Sequence, residues 1–270
     1  MLKSLCLLLL PLYCLANSTY ASTSVVFACA EASDSQLFSV LTEIYSHFLE
    51  PFELDFSMQT TTEQRMISEV ASGRIDGACG QSIPMFESLN SPHVVRSSPP
   101  IAMLSVRAVS TTHHTSIKSL SELTHSPLRI GIIASTGTAL AAQQRGISFQ
   151  NILHIDRGIR MLAANRLDYV ISNHIQIRRA LNDVAPLVRL TLSDNLLYLP
   201  VHPVLNIKHR QLVPPLNGYL TRLNHCLGGP LSQTNSINWL SLTRKKLEEC
   251  SESVASHTII QKNYQAYPNN

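Results

Sequence analysis

The chain predicts an α/β protein of two similar lobes facing a cleft, and three observations carry this. A short pattern occurs twice: Gly73-Arg74-Ile75-Asp76-Gly77-Ala78-Cys79 and Asn165-Arg166-Leu167-Asp168-Tyr169-Val170-Ile171 each read as a helix end, a basic residue and a buried strand. Each copy follows an amphipathic stretch, Arg65-Met66-Ile67 before the first and Arg160-Met161-Leu162 before the second. Around each copy apolar strand-like runs alternate with helical patterns, the order expected of a parallel sheet with right-handed crossovers. Two such units about ninety residues apart imply two lobes, and a cleft between lobes points to capture, sensing or catalysis on a small molecule.

The elements follow in order. Met1-Leu2-Lys3, an apolar run from Leu5 to Leu15 and small polar residues up to Ala21 form a secretory signal, cleaved after Ala21 or alternatively after Ser18. Cys14 follows the bulky Tyr13, which argues against lipid attachment. Residues 24–30 form an apolar strand covered on both faces. Asp34 is placed to cap a helix in which Leu37, Leu41, Ile44, Tyr45 and Phe48 share one face. Phe52, Leu54, Phe56 and Met58 alternate as in a strand. Thr61 or Thr62 caps a helix that Gly73 ends, and a strand over 75–79 follows. After Ser97-Ser98-Pro99-Pro100, an extended run over 102–109 leaves the first lobe.

The second lobe repeats the rhythm, with strands over 128–133, 152–155, 167–171 and 188–192. Its helices run over 119–123, 138–145, 157–164 and 175–182. An extended run over 196–201 carries the chain back, and helices over 214–226 and 237–250 close it. The expected organisation is a signal over 1–21, a first lobe over 22–101 and 202–255, a second lobe over 102–201, and a polar tail over 256–270.

Charged residues make up 14% of the chain and the net charge is +3, too mild and scattered for a nucleic-acid partner. No segment after the signal is apolar enough to span a membrane. Cys29, Cys79, Cys226 and Cys250 remain after the signal, an even count that favours disulfides in an exported protein. Three connectivities are possible. Cys29 and Cys79 end neighbouring strands ~4.8 Å apart, and Cys226 and Cys250 sit on the two last helices, which favours 29–79 and 226–250. No Cys-x-x-Cys spacing points to a metal.

Several segments in this order resemble the periplasmic solute-binding proteins of the type II class, family 3. They are the strand up to Glu31, the unit from Gly73 to Gly77, and the Ser98-Pro99-Pro100-Ile101 crossing. To these add Leu120 and Leu123 before Leu128-Arg129-Ile130-Gly131-Ile132, the segment Met161 to Asp168, and Leu197-Tyr198-Leu199-Pro200-Val201. The resemblance spans about residues 24–250 and implies two α/β lobes joined by two crossings, closing on a ligand by hinge motion in the periplasm. It also implies a small-molecule solute and an inner-membrane permease of the ABC type or a sensor kinase as partner. The ligand residues depart from it. Amino-acid binders of this class place an arginine after the first-lobe strand, where Gly80-Gln81-Ser82-Ile83-Pro84-Met85-Phe86-Glu87 has none. The acidic residue they use after the second-lobe strand is Asn173 here. A free α-amino acid would meet no charged clamp, an argument against that ligand class.

The candidate ligand residues are Glu31, Gln81, Ser82, Ser135, Thr136, Thr138, Arg157 and Asn173. Ser135-Thr136-Gly137-Thr138 opens a helix after a strand, where backbone N–H groups and hydroxyls suit an anion; the plain alternative is an ordinary cap. Glu31 and Asn173 end corresponding strands, with Ser172 beside Asn173, and Gln81 and Ser82 follow the first-lobe strand. Asp156 reads as a helix cap, and Arg157 beside it can reach the cleft. His113 and His114 read as solvated loop residues, and Trp239 as core. Arg74 and Arg166 suit helix ends, and Asp76 and Asp168 read as turn or interlobe contacts. No catalytic residue, cofactor or metal is expected, since no nucleophile elbow, His-Glu-x-x-His pair or phosphate loop is present. Two alternatives stand beside capture. One is an exported enzyme of the cyclohexadienyl dehydratase kind, with Glu31 or Glu87 as general acid. The other is a partner-binding protein whose cleft has decayed.

Overall fold

The computed structural model describes residues 24–111, 117–183, 189–232, 245–246 and 248–250. The signal, His113 and His114, Val188, Trp239 with most of the 237–250 helix, and the tail lie outside the described residues. In chain order the elements are β1 (Ser24–Cys29), α1 (Gln36–Leu49), β2 (Asp55–Thr60), α2 (Glu63–Ala71), β3 (Gly77–Ser82), α3 (Ile83–Leu89) and β4 (Val94–Arg96). Then come β5 (Ala102–Thr111), β6 (Ile130–Ile132), α4 (Gly137–Gln143), β7 (Gln150–Asn151), α5 (Ile155–Ala163), β8 (Tyr169–Asn173) and α6 (His174–Asp183). The chain continues with β9 (Leu190–Leu192), β10 (Leu197–Asn206), α7 (Val213–Leu227) and β11 (Leu231–Ser232).

One sheet runs β2-β1-β3-β10-β5-β8-β6-β7, with β4, β9 and β11 attached beside it. Its halves have the same plan: β2-β1-β3-β10 in one, β7-β6-β8-β5 in the other. In each half the first three strands are parallel and the fourth is antiparallel. The fourth strands, β10 and β5, also pair with each other, from Leu197↔Val106 to Val201↔Ala102. These two ten-residue strands are the crossings between lobes.

Both faces of each half are covered, which is why its central strands are continuously apolar. Val25, Phe27 and Cys29 pack under α1 and α7 with Leu41, Tyr45 and Leu216. Ala28 and Ala78 pack on the other face with Met66, Ile67 and Val70 of α2. The second half divides likewise, into a cluster around Ile132, Ala139 and Tyr169 and one around Ile152, Ile159 and Val170.

The repeated motif closes its helix in the same way in both copies. Gly73 (φ 74°) and Asn165 (φ 57°) are left-handed. The Gly73 and Asn165 N–H groups donate to Val70 and Leu162, and the following Arg74 and Arg166 N–H groups donate to Glu69 and Met161. That is the Schellman pattern, which satisfies the last helical carbonyls. Asp76 and Asp168 are fastenings within a lobe, which corrects the expectation of turn or interlobe contacts. Asp76 accepts from the Val26 N–H at 2.8 Å, Lys208 Nζ at 2.8 Å and His209 Nε2 at 2.7 Å. Asp168 accepts from the Arg129 N–H at 2.7 Å and Arg129 Nη2 at 2.6 Å. Each aspartate thus ties its strand's start to the first strand of its own half.

Local differences from expectation have local causes. Ser35 rather than Asp34 caps α1, accepting from the Phe38 N–H. Pro51 and the left-handed Glu53 hold Phe52 in a 3-10 turn, so β2 begins later. Thr62 caps α2. Asp156 is not the cap of α5: His154 takes that position, and Asp156 lies in the first turn, 3.8 Å from Arg160. The disulfides are Cys29–Cys79 and Cys226–Cys250. No helix among the described residues is long and apolar enough to cross a membrane.

Candidate functional site

The carboxyl ends of β1 and β3 and the N-terminus of α2 converge on the second lobe. Cys29 and Cys79 are covalently joined across β1 and β3, and Glu31 and Gln81 each lie two residues further along. Ser82 ends β3, and Glu63 opens α2 behind the Thr62 cap. From the second lobe, the N-terminus of α4 brings the Gly137 N–H to the Glu63 carboxylate, and the exposed Arg179 of α6 lies near enough for its charge to act on Glu31. A Cβ on Gly137 would lie 2.1 Å from Ser82 Oγ and 2.9 Å from Ser82 Cβ. Only glycine permits this approach.

The lobes are shut on one another. Leu140 of α4 packs into the first-lobe cluster of Met66, Ile67 and Met85. Ile175 of α6 packs against the cluster containing Leu37 and Leu41. At the junction a pocket of ≈ 10 Å³, about one water in size, is lined by Leu37, Met103, Ser105, His174, Ile175 and Leu231 among others.

Burial raises the Glu31 carboxyl above its usual value, and Arg179 opposes the rise. Burial also pushes Glu63 up to about 7; the Gly137 N–H lowers it and the nearby Glu31 charge raises it further. All three general causes of such shifts act on Glu63: desolvation and like charge raise it, and the hydrogen bond opposes them. His174 is moved the other way, downward, by burial and by Arg107 and Arg178. Gln81 is 2% exposed with neither side-chain polar atom bonded, and Ser82 is 4% exposed with its hydroxyl unbonded. Buried polar groups are rarely left so.

Of the residues expected at a site, Glu31 and Ser82 meet in this corner, with Gln81 beside them on β3. Thr136 caps α4: its hydroxyl accepts from the Ala139 N–H and donates to the Ile133 carbonyl. Thr138 is buried in the first turn of the same helix, and Ser135 is exposed with φ 57°. Asn173 Oδ1 accepts from the Gln176 N–H at the start of α6, so its side chain also serves a helix end. Ser172 Oγ bonds Gln176 Oε1 at 2.6 Å. Arg157 stands exposed on α5 and is not among the groups acting on Glu31 or Glu63. Glu87 is exposed on α3.

Sequence reasoning missed Glu63 and Arg179 as cleft groups; it named the Ser135–Thr138 turn for its backbone N–H groups, and the Gly137 N–H there meets the Glu63 carboxylate. A usable signal existed for Glu63. In a parallel α/β sheet the helix N-termini gather at the carboxyl ends of the strands, where ligands bind, and Glu63 directly follows a cap.

Comparison with family models finds no match, and none is found among curated proteins. Solved structures do match over most of the chain. The GluR0 ligand-binding core in complex with L-glutamate aligns with a TM-score of 0.61 at 12% identity, covering 87% of this chain and 98% of its own. The arginine-bound form of truncated ArgBP from T. maritima aligns at 0.55 and 13%, covering 74% and 96%. The ancestral amino-acid-binding protein AncCDT-1, a precursor of cyclohexadienyl dehydratase, aligns at 0.56 and 11%, covering 85% and 94%. Identities this low speak for architecture alone, and they agree with the matching half-sheets and paired crossings: the chain has the two-lobed fold of the type II periplasmic binding proteins.

Proposed function

We infer that this protein is an exported, non-catalytic binding protein that captures a small polar solute between its lobes, in the periplasm, for uptake or sensing. The lobes we assign are 22–101 with 202–255, and 102–201. The observation that carries the reading is the corner where Glu31, Glu63 and Ser82 of one lobe meet Gly137 and Arg179 of the other. Polar side chains at strand ends, the Ser82 hydroxyl among them buried without a partner, form a recognition surface that closure completes. A standard free α-amino acid is not the ligand favoured, because Asn173 is spent on α6 and β3 is followed by no arginine. The downstream partner in this reading is an inner-membrane permease or a sensor kinase.

The test is a thermal-shift screen of a metabolite library against the folded protein. A solute that binds only the folded state raises the melting temperature in proportion to its concentration over Kd. A screen with no hit on a folded sample removes the reading.

A second reading, catalysis on the same fold, is favoured by one observation: Glu63 sits near 7, where a carboxylic acid can both give and take a proton. Turnover of prephenate or arogenate, lost in E63Q, would replace capture by catalysis.

A further inference from the structure

The corner between the lobes carries a charge imbalance. Glu31 has Arg179 opposite it, whereas the electrostatic neighbours of Glu63 are the Gly137 N–H and Glu31 itself. Two half-buried carboxylates against one guanidinium, Arg179, that is itself exposed leave one negative charge partly withdrawn from water, a costly arrangement unless a proton or a cation compensates. The spare hydrogen-bonding capacity lies in the same place. Ser82, 4% exposed, has an unbonded hydroxyl that faces Gly137, whose N–H faces Glu63. Carboxylates and a hydroxyl oxygen are acceptors, and a net negative, acceptor-rich corner suits a charged group bearing several N–H donors.

Resting on the capture reading, we propose that the solute is a small organic cation, an amine or guanidinium compound, whose N–H groups donate to Glu63, Glu31 and Ser82 Oγ. The cation takes the place of the proton that Glu63 otherwise keeps. Opening the lobes by a hinge motion frees Glu63 from Gly137 and admits the ligand, and closure then buries the new ion pair.

Calorimetric titration of the full chain with agmatine, putrescine, glutamine and succinate, at pH 6 and pH 8, tests this. At least one of the two carboxylate-free cations binds and succinate does not. Affinity for the cation rises roughly tenfold between the two pH values, the change in the ionised fraction of a carboxyl titrating near 7. E63Q weakens binding roughly tenfold or more and flattens the pH dependence, whereas E50Q, exposed in the turn after α1, leaves both unchanged. Should E63Q not fold, the wild-type pH series and the comparison with succinate decide alone. Binding of succinate or glutamine with both cations inert overturns the charge assignment and leaves capture standing. Failure of both cations while some other library solute binds has the same consequence. A library without any binder removes capture, and this proposal with it.

Discussion

At Asp76 one carboxylate serves a backbone N–H, an ammonium and an imidazole at 2.7–2.8 Å. Burial pushes its carboxyl up, but the contacts from Lys208, Val26 and His209 outweigh that and hold it below the usual value. A folded value below the unfolded one means that this stabilisation is present above the ordinary carboxylate range. It is lost as pH falls through the depressed value. D76N keeps the shape, removes the charge and turns one acceptor into a donor facing other donors. The expected cost is about 2 kcal/mol, read as a lower urea midpoint at pH 7, with a shallower acid limb of the stability–pH curve. The site residues were only partly legible at this scale. Glu31 and Ser82 could be named from their positions after strands. Arg179 is one of several charged residues on a helix, and nothing in its neighbours along the chain says that Glu31 lies opposite.

The two Schellman closures set the direction in which the chain leaves α2 and α5. Left-handed backbone favours glycine, so the copies differ in strain: Gly73 fits, and Asn165 tolerates the position. G73A is expected to destabilise by about 1 kcal/mol and N165G to stabilise by up to ~1 kcal/mol, both measured by denaturant unfolding with unchanged slopes. The motif was readable in the sequence because its helix end, basic residue and apolar run are contiguous. Strand limits were less readable. β3 runs to Ser82 although Gln81 and Ser82 are polar, since β10 supplies ladder partners at His202 and Val201, and hydrophobic periodicity cannot register a partner strand. The helix α3 was missed for a related reason: it is short, starts with Ile83-Pro84 and buries only Met85, too little apolar pattern to detect.

Across the whole molecule, the docking of one lobe on the other sets the electrostatics of the corner between them. Burial pushes the Glu63 carboxyl up to about 7, the Gly137 N–H of the second lobe holds it back, and the Glu31 charge adds to the rise. A raised carboxyl stabilises the closed, ligand-free form fully below its ordinary value near 4.5, and this contribution fades as pH rises through about 7. Solution scattering is therefore expected to show a more compact ligand-free protein at pH 5 than at pH 8, with the difference absent in E63Q. G137A supplies an independent handle: its methyl group would collide with Ser82 only when the lobes are shut. It is expected to expand the protein at both pH values while leaving the thermal unfolding of the lobes close to wild type.

By itself the sequence determined the class of fold, the repeat that builds each half, the 29–79 and 226–250 pairings as the favoured ones, and the strand-end positions of Glu31 and Ser82. These are written in local periodicity, in glycine and cysteine placement and in the order of segments. Only the tertiary structure decided that Glu63 and Glu31 share one corner, that Gly137 rather than the hydroxyls beside it touches the first lobe, and that Thr136 and Asn173 are occupied by helix ends. Those facts depend on how one lobe rests on the other. That docking is set by contacts between residues far apart in the chain, such as Leu140 with the cluster around Met66 and Met85 and Ser82 with Gly137, for which local pattern holds no record.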